Sequence, residues 1–202
     1  MDILKIWNDN PSDRQARDVA NLIAQGELVI IPTDSVYAIV CDALNPKAIE
    51  ALCRLKGLNP DKNNLSILCS DISMAADYAH IENQGFRLLK QYTPGPFTFL
   101  FRAGRNLPRP FKGRKTAGVR IPDSLTARKI VEALGHPLLT TSIIFDDSDE
   151  AREPELIAER YASSGVALTV DAGPGGEEYS TIVDCTDDAD PHITRQGKGQ
   201  LD

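Results

Sequence analysis

Segments with helical periodicity and capping signals alternate along this chain with short apolar runs of strand-forming residues. That alternation restricts the fold to the α/β class. Ser12-x-x-Gln15 forms a capping box for a helix whose apolar positions Ala16, Val19, Ala20 and Ile23 follow the 3.6-residue period and which Gly26 ends. The run LVIIP follows as a buried strand. Asn45 with Pro46 opens a second helix, stopped at Gly57, and LSILC is the next strand. Asp71 caps a third helix reaching Ala79, and a fourth begins over residues 85–90. TPGPFTFLFR reads as a turn and a strand, AGVRIP as a short strand after a basic loop, and Ser124 caps a helix that Gly135 closes. PLLTTSII is a strand, residues 154–162 a helix, VALTVD a strand, and TIVDC and HITR closing strands. Those last strands come without helices between them, so the prediction is a single-domain, twisted open mixed sheet with helices on its faces.

Length and composition remove several other classes. A chain of 202 residues with 42% hydrophobic content buries a real core in one domain, taken to span 1–202, and is not generally disordered. The longest apolar run, from Leu28 to Pro32, is far shorter than the roughly 18–20 residues of a membrane span, so no membrane association is expected. The start, MDILKIWNDNPSD, lacks the basic and apolar regions of a secretory signal, which points to the cytoplasm. Cys41, Cys53, Cys69 and Cys185 contain no C-x-x-C pair, and His80, His136 and His192 are far apart in sequence. Neither a metal site nor a disulfide framework is expected; the cysteines are expected to be reduced and half-buried at strand and helix ends. No G-x-S-x-G nucleophile motif is present.

The net charge of −7 conceals an asymmetry. From Arg102 to Lys129 nine basic residues face Asp123 alone, whereas the chain from Asp146 to Asp190 is strongly acidic. Local potential governs binding, so the basic stretch is a candidate for taking up phosphates. Ligands of open α/β sheets collect beyond the carboxyl ends of strands, which directs attention to polar residues after each apolar run. In PTDSVY, Thr33, Asp34, Ser35 and Tyr37 either hold a small polar substrate or cap a chain reversal. Lys56, in the last turn of its helix, either meets an anion or complements the helix dipole. Arg120 lies between Val119 and Ile121 in an apolar strand, so its guanidinium needs an anionic partner, a buried carboxylate or a bound ligand. Thr141 and Ser142, the loop DAGPGGEEYST with Ser180 and Thr181, and Arg195 complete the set. Neither a P-loop nor a Rossmann fingerprint is present.

Taken in order, LVIIPTDSVYAI, Lys56 before a strand, TPGPFTFLF, GVRIPD, PLLTTS, YSTIVD and ITRQG resemble the YrdC/YciO-like family over about residues 13–199. The best-known members of that family are threonylcarbamoyl-AMP synthases. The resemblance implies a concave, positively charged cavity and a nucleotidyltransferase reaction of the L-threonylcarbamoyladenylate synthase type. That reaction joins L-threonine, bicarbonate and ATP into threonylcarbamoyl-AMP and pyrophosphate, the donor for an adenosine modification in tRNA. By matching position, the resemblance makes Lys56 and Arg120 the catalytic cations. Thr33, Ser35 and Tyr37 become substrate contacts, and Lys56, Ser142, Ser180 and Arg195 nucleotide contacts. Mg2+ would arrive with ATP, carried mainly on the phosphates.

The departures are specific. Where the synthases carry an arginine two positions after the lysine, this chain has Leu58; where they carry an asparagine two positions after the strand serine, it has Ile144. The loss of a bidentate phosphate donor and an amide points to the YciO-like branch and to weak or altered activity. LSILC also lacks the histidine common in synthases, and PTxTVY reads PTDSVY. The alternative is a non-catalytic or differently specific nucleotide- or RNA-binding protein of the same fold. It would take tRNA or double-stranded RNA through phosphate contacts, since only Phe111 in the basic stretch could stack on a base.

Overall fold

A computed structural model of the protein describes residues 1–59, 65–107, 115–143 and 152–201. Its strands are β1 (Asp2–Lys5), β2 (Leu28–Ile31), β3 (Ala38–Asp42), β4 (Ser66–Leu68), β5 (Ala79–His80), β6 (Phe97–Ala103), β7 (Thr116–Arg120), β8 (Leu138–Ser142), β9 (Val166–Asp171), β10 (Thr181–Asp184) and β11 (His192–Arg195). The helices are α1 (Asp13–Ala24), α2 (Pro46–Lys56), α3 (Ile72–Tyr78), α4 (Asn83–Tyr92), α5 (Leu125–Leu134) and α6 (Pro154–Arg160). All eleven strands join one sheet in the order β1-β9-β2-β3-β8-β4-β7-β6-β10-β11, with β5 on β6. Parallel pairs such as β2/β9 and β4/β7 alternate with antiparallel pairs such as β3/β8 and β6/β7, so the sheet is open and mixed as predicted.

The predicted caps close the helices they were assigned to. Ser12 and Gln15 form the reciprocal capping box of α1, Asn45 accepts from the first amides of α2, and Gly57 and Gly135 end α2 and α5 in the left-handed conformation. The period-2 alternation of the strands sorts side chains between two cores. Val29, Ile31, Ala38, Val40, Leu68 and Leu138 pack under α1 and α5 through Val19, Ile23, Ile130 and Val131. Ile30, Ile39, Cys41, Ile67 and Leu139 face the other way, toward Ile49 and Leu52 of α2, Leu89 of α4 and Ile157 of α6. Phe97, Phe99 and Phe101 extend that second core as a row of rings 5.7 and 6.3 Å apart.

Three expectations change. β1 and β3 are strands that the apolar pattern did not separate out: β1 is a short edge strand on β9, and β3 follows the PTDSVY loop without any break in apolarity. The cysteines are buried outright, at most 5% exposed, rather than half-buried. Ligand space does not lie at a common carboxyl edge, because β8 runs antiparallel to both β3 and β4 and the central strands share no such edge. Residues 144–151, where the acidic segment begins, lie outside the described residues. Among the described residues no helix is long and apolar enough to cross a membrane.

Candidate functional site

The sheet face covered by α1 and α5 turns polar further along the central strands. Along β8 the residues on that face run Leu138, Thr140, Ser142, and in register beside Thr140 lie Ser66 of β4 and Gly118 of β7. Gly118 keeps the floor low: a Cβ there would lie 3.1 Å from the Ser66 Cβ and 3.4 Å from the Thr98 methyl. The result is a cavity of about 280 Å3 whose lining includes Ser66, Thr98, Thr140, Ser142, Ser180, Arg120 and Arg195.

Arg120 ends β7 with only 3% exposure. Its Nη2 donates to Asp34 Oδ1 at 3.0 Å and to Ser35 Oγ at 2.9 Å, while its Nε has no partner. Of the two partners open to this arginine, a carboxylate is therefore present. Burial pulls its acidity upward against the neighbouring Asp34 charge, and Arg195 adds repulsion in the same direction. Thr140 Oγ1, also buried in the cavity wall, has no partner either. Arg195 donates through Nη2 to the Ser180 carbonyl at 2.7 Å and lies 5.4 Å from the Tyr179 ring centroid. Ser180 Oγ shares a hydrogen bond of 2.8 Å with Thr98 Oγ1. Two cations thus stand in one concavity, each oriented by neighbours.

The structure therefore brings Arg120, Ser142, Ser180 and Arg195 together. Ser35 belongs to the same cluster through Arg120. Thr33 and Tyr37 line a separate cavity of about 180 Å3 with Asp9, Asp123 and Gly173. The Thr33 hydroxyl donates to the Val36 carbonyl at 2.7 Å, and the Tyr37 hydroxyl to the Gly173 carbonyl at 2.8 Å. Lys56, in the last turn of α2, is not among the described residues lining either cavity, and partial burial lowers its basicity. Leu58, two residues on, packs against the core that α2 covers; Ile144 is outside the described residues.

Among its described residues the basic stretch does not converge on the site. Arg109, Lys112 and Arg114 are outside the described residues. Of the others only Arg120 lines the cavity. Arg102 pairs with Glu82, Arg128 with Asp123 and Lys129 with Asp13. Clustering in sequence scatters here because β7 carries Arg120 inward to Asp34 while Arg128 and Lys129 of α5 reach the carbonyls of Pro122 and Pro11.

Sequence reasoning passed over Asp34 as a specific partner; the signal was the unexplained guanidinium in the apolar strand. Among the described residues no three His, Cys, Asp or Glu side chains gather as a metal site. Donors in the cavity are hydroxyls and cations, which do not fit an Mg2+ site made by protein ligands.

The profile of the Sua5/YciO/YrdC family, described as "Telomere recombination", matches residues 21–197. The chain is 35% identical to the uncharacterized protein YciO of Escherichia coli (strain K12), over 97% of this chain and 95% of that protein. The crystal structure of E. coli YciO superposes with a TM-score of 0.89, covering 99% of this chain and 98% of that one. A threonylcarbamoyl-AMP synthase of Bacillus subtilis (strain 168) is 28% identical over 92% of this chain and 54% of its own length. The crystal structure of P. abyssi Sua5 complexed with L-threonine is similar with a TM-score of 0.86 at 26% identity, covering 98% of this chain and 58% of that chain. The chain thus spans little more than half of the last two proteins.

Proposed function

The chain belongs to the Sua5/YciO/YrdC family, and on that premise we propose that it is a threonylcarbamoyl-AMP synthase-like protein of reduced activity, binding ATP, L-threonine and bicarbonate. The observation that carries this reading is a cavity in which two arginines, Arg120 and Arg195, stand together with Ser142 and Ser180. The two guanidinium groups repel each other, and a bound anion relieves that repulsion.

In the reaction the amine of threonine takes up bicarbonate with loss of water. The resulting carbamate oxygen attacks the α-phosphorus of ATP, a P–O bond forms, and pyrophosphate leaves with the electrons of the broken P–O bond. No protein nucleophile is needed. Charge collects on the carbamate, the threonine carboxylate and the phosphates, so Arg120 and Arg195 serve by bringing anions together and stabilising the crowded phosphorus. Ser142 and Ser180 supply hydroxyl donors beside them. Mg2+ enters only as the counter-ion of the triphosphate, and no step is assigned to it.

Leu58 and Ile144 account for the reduced activity. A missing donor to a triphosphate costs about 2–4 kcal/mol, or about 30- to 1000-fold in rate. The test is formation of AMP-linked product and pyrophosphate that depends jointly on L-threonine and bicarbonate, with calorimetric titration of ATP and L-threonine singly and together. The variant Leu58→Arg with Ile144→Asn is expected to raise turnover. Binding without turnover in both proteins selects the non-catalytic nucleotide-binding reading; a wild type that neither binds ATP nor reacts, with no recovery in the double variant, overturns the proposal.

A further inference from the structure

We propose that Asp34 is a positioning residue, whose carboxylate fixes the Arg120 guanidinium so that its remaining donors meet an anionic group of the ligand; this rests on the reading that the cavity takes such a ligand. Three observations carry it. First, the pair is deeply buried, with side chains 3% and 6% exposed, so neither charge is free to follow solvent. Second, both carboxylate oxygens are occupied by one segment of chain: Oδ1 accepts from Arg120 Nη2 at 3.0 Å and Oδ2 from the Asp123 amide at 2.7 Å. Third, the Asp34 backbone is itself held, its carbonyl accepting from Lys198 Nζ at 2.6 Å, while Ser35 takes the second bond from Arg120 Nη2 at 2.9 Å. Nη2 is consequently saturated and cannot rotate away, so the guanidinium lines the cavity in one fixed orientation.

A plain structural ion pair would account for the contact between the two charges. It would not account for a guanidinium that is held through one nitrogen alone and lines a cavity shared with a second arginine. Asp34 also offsets part of the charge of Arg120 at short range. Recognition of the anion then depends on where the donors point, and orientation is the property Asp34 controls. Misplacement of a reacting or recognising group by about 1 Å costs on the order of 100-fold.

The experiment compares wild type, Asp34→Ala, Arg120→Ala and the double variant. Each is followed by thermal melting, by titration with L-threonine and ATP, and by the 15N–1H signal of Arg120 Nε where that residue is present. Asp34→Ala is expected to weaken binding about 10- to 100-fold and to broaden the Arg120 Nε signal through motion. In the double variant it should add nothing beyond Arg120→Ala, because Asp34 acts only through that guanidinium. Additive losses, or unchanged affinity with an unchanged Nε signal, overturn the proposal. If the wild type binds neither probe, the functional reading fails and the Nε signal alone decides: broadening in Asp34→Ala upholds positioning, and an unchanged line rejects it. Should Asp34→Ala not fold, Asp34→Asn replaces it, since an amide of the same size cannot accept from both Arg120 and the Asp123 N–H, and the same broadening is expected.

Discussion

Tyr37 and Gly173 are joined by a hydrogen bond of 2.8 Å that links loop segments 136 residues apart, the phenol donating to the glycine carbonyl. The same hydroxyl accepts from the Ala172 amide at 3.2 Å, and the ring is fully buried. Tyr37 therefore clamps the loop that leads out of β9 onto the loop that carries Asp34. Tyr37→Phe leaves a carbonyl and an amide without their partner and is expected to destabilise the protein by about 1–3 kcal/mol. Urea denaturation measures this, with m unchanged if the loss is local.

The neighbouring contact is tighter still. Gly176 donates its amide to the Ser35 carbonyl at 2.8 Å, and a Cβ at Gly176 would stand 2.3 Å from that oxygen. Backbone must move to admit it. Gly176→Ala is expected to cost about 1–3 kcal/mol and to weaken ATP and L-threonine binding, because Ser35 also accepts from Arg120. Loss of stability with intact binding in the folded fraction would detach this loop from the site.

What the sequence disclosed depended on how locally each feature is encoded. The cap at Ser12, the stop at Gly57 and the 3.6-residue period of α1 are contained within a few residues, and each reappears in place. β3 escaped notice because both its faces are covered, Ala38 and Val40 under α1 and α5 and Ile39 and Cys41 under α2, which leaves no alternation to read. Arg120 announced its need of an anion by lying in an apolar strand, yet Asp34, 86 residues away, looked like any turn residue. The described cations of the basic stretch separate for the complementary reason: adjacency in sequence says nothing about which face of a strand or helix each one takes. Lys56 stood out by its place before LSILC; it closes the last turn of α2 and is not among the described residues that line the cavity.

Gly118 offers a direct test of where ligands lie. A valine there suits a strand, and its methyl groups would project onto the floor between Ser66 and Thr98. Gly118→Val is expected to lower affinity for ATP and L-threonine by at least about tenfold, equivalent to about 1.4 kcal/mol, with an overpacking cost of about 1–3 kcal/mol. Titration alongside circular dichroism separates the two. Unimpaired binding by a folded variant would move the site off this face of the sheet.

The buried thiols predict an alkaline limit to stability. Burial pushes the Cys41 and Cys69 thiols far above their ordinary range, with Asp42 and Asp71 adding to the shift, and pushes Cys185 up to about 12. A thiol whose pKa is raised by folding gives its full stabilisation below the unfolded pKa, about 8.5, and loses it as pH climbs toward the folded value. The unfolded chain sheds protons that the folded chain retains, so the slope is about −1.4 kcal/mol per pH unit for each such group. Between pH 8.5 and 10 this amounts to about 2 kcal/mol for each of Cys41 and Cys69. The Tyr37 phenol, also raised chiefly by burial, adds to the loss only above about pH 10. Urea midpoints recorded from pH 7 to 10.5 should fall progressively once pH passes 8.5. Cys69→Ala should flatten that decline even as it lowers the midpoint at neutral pH through the cavity it leaves. An identical decline in wild type and Cys69→Ala would show that this thiol ionises as readily in the folded protein as in the unfolded one, contrary to its burial among apolar side chains.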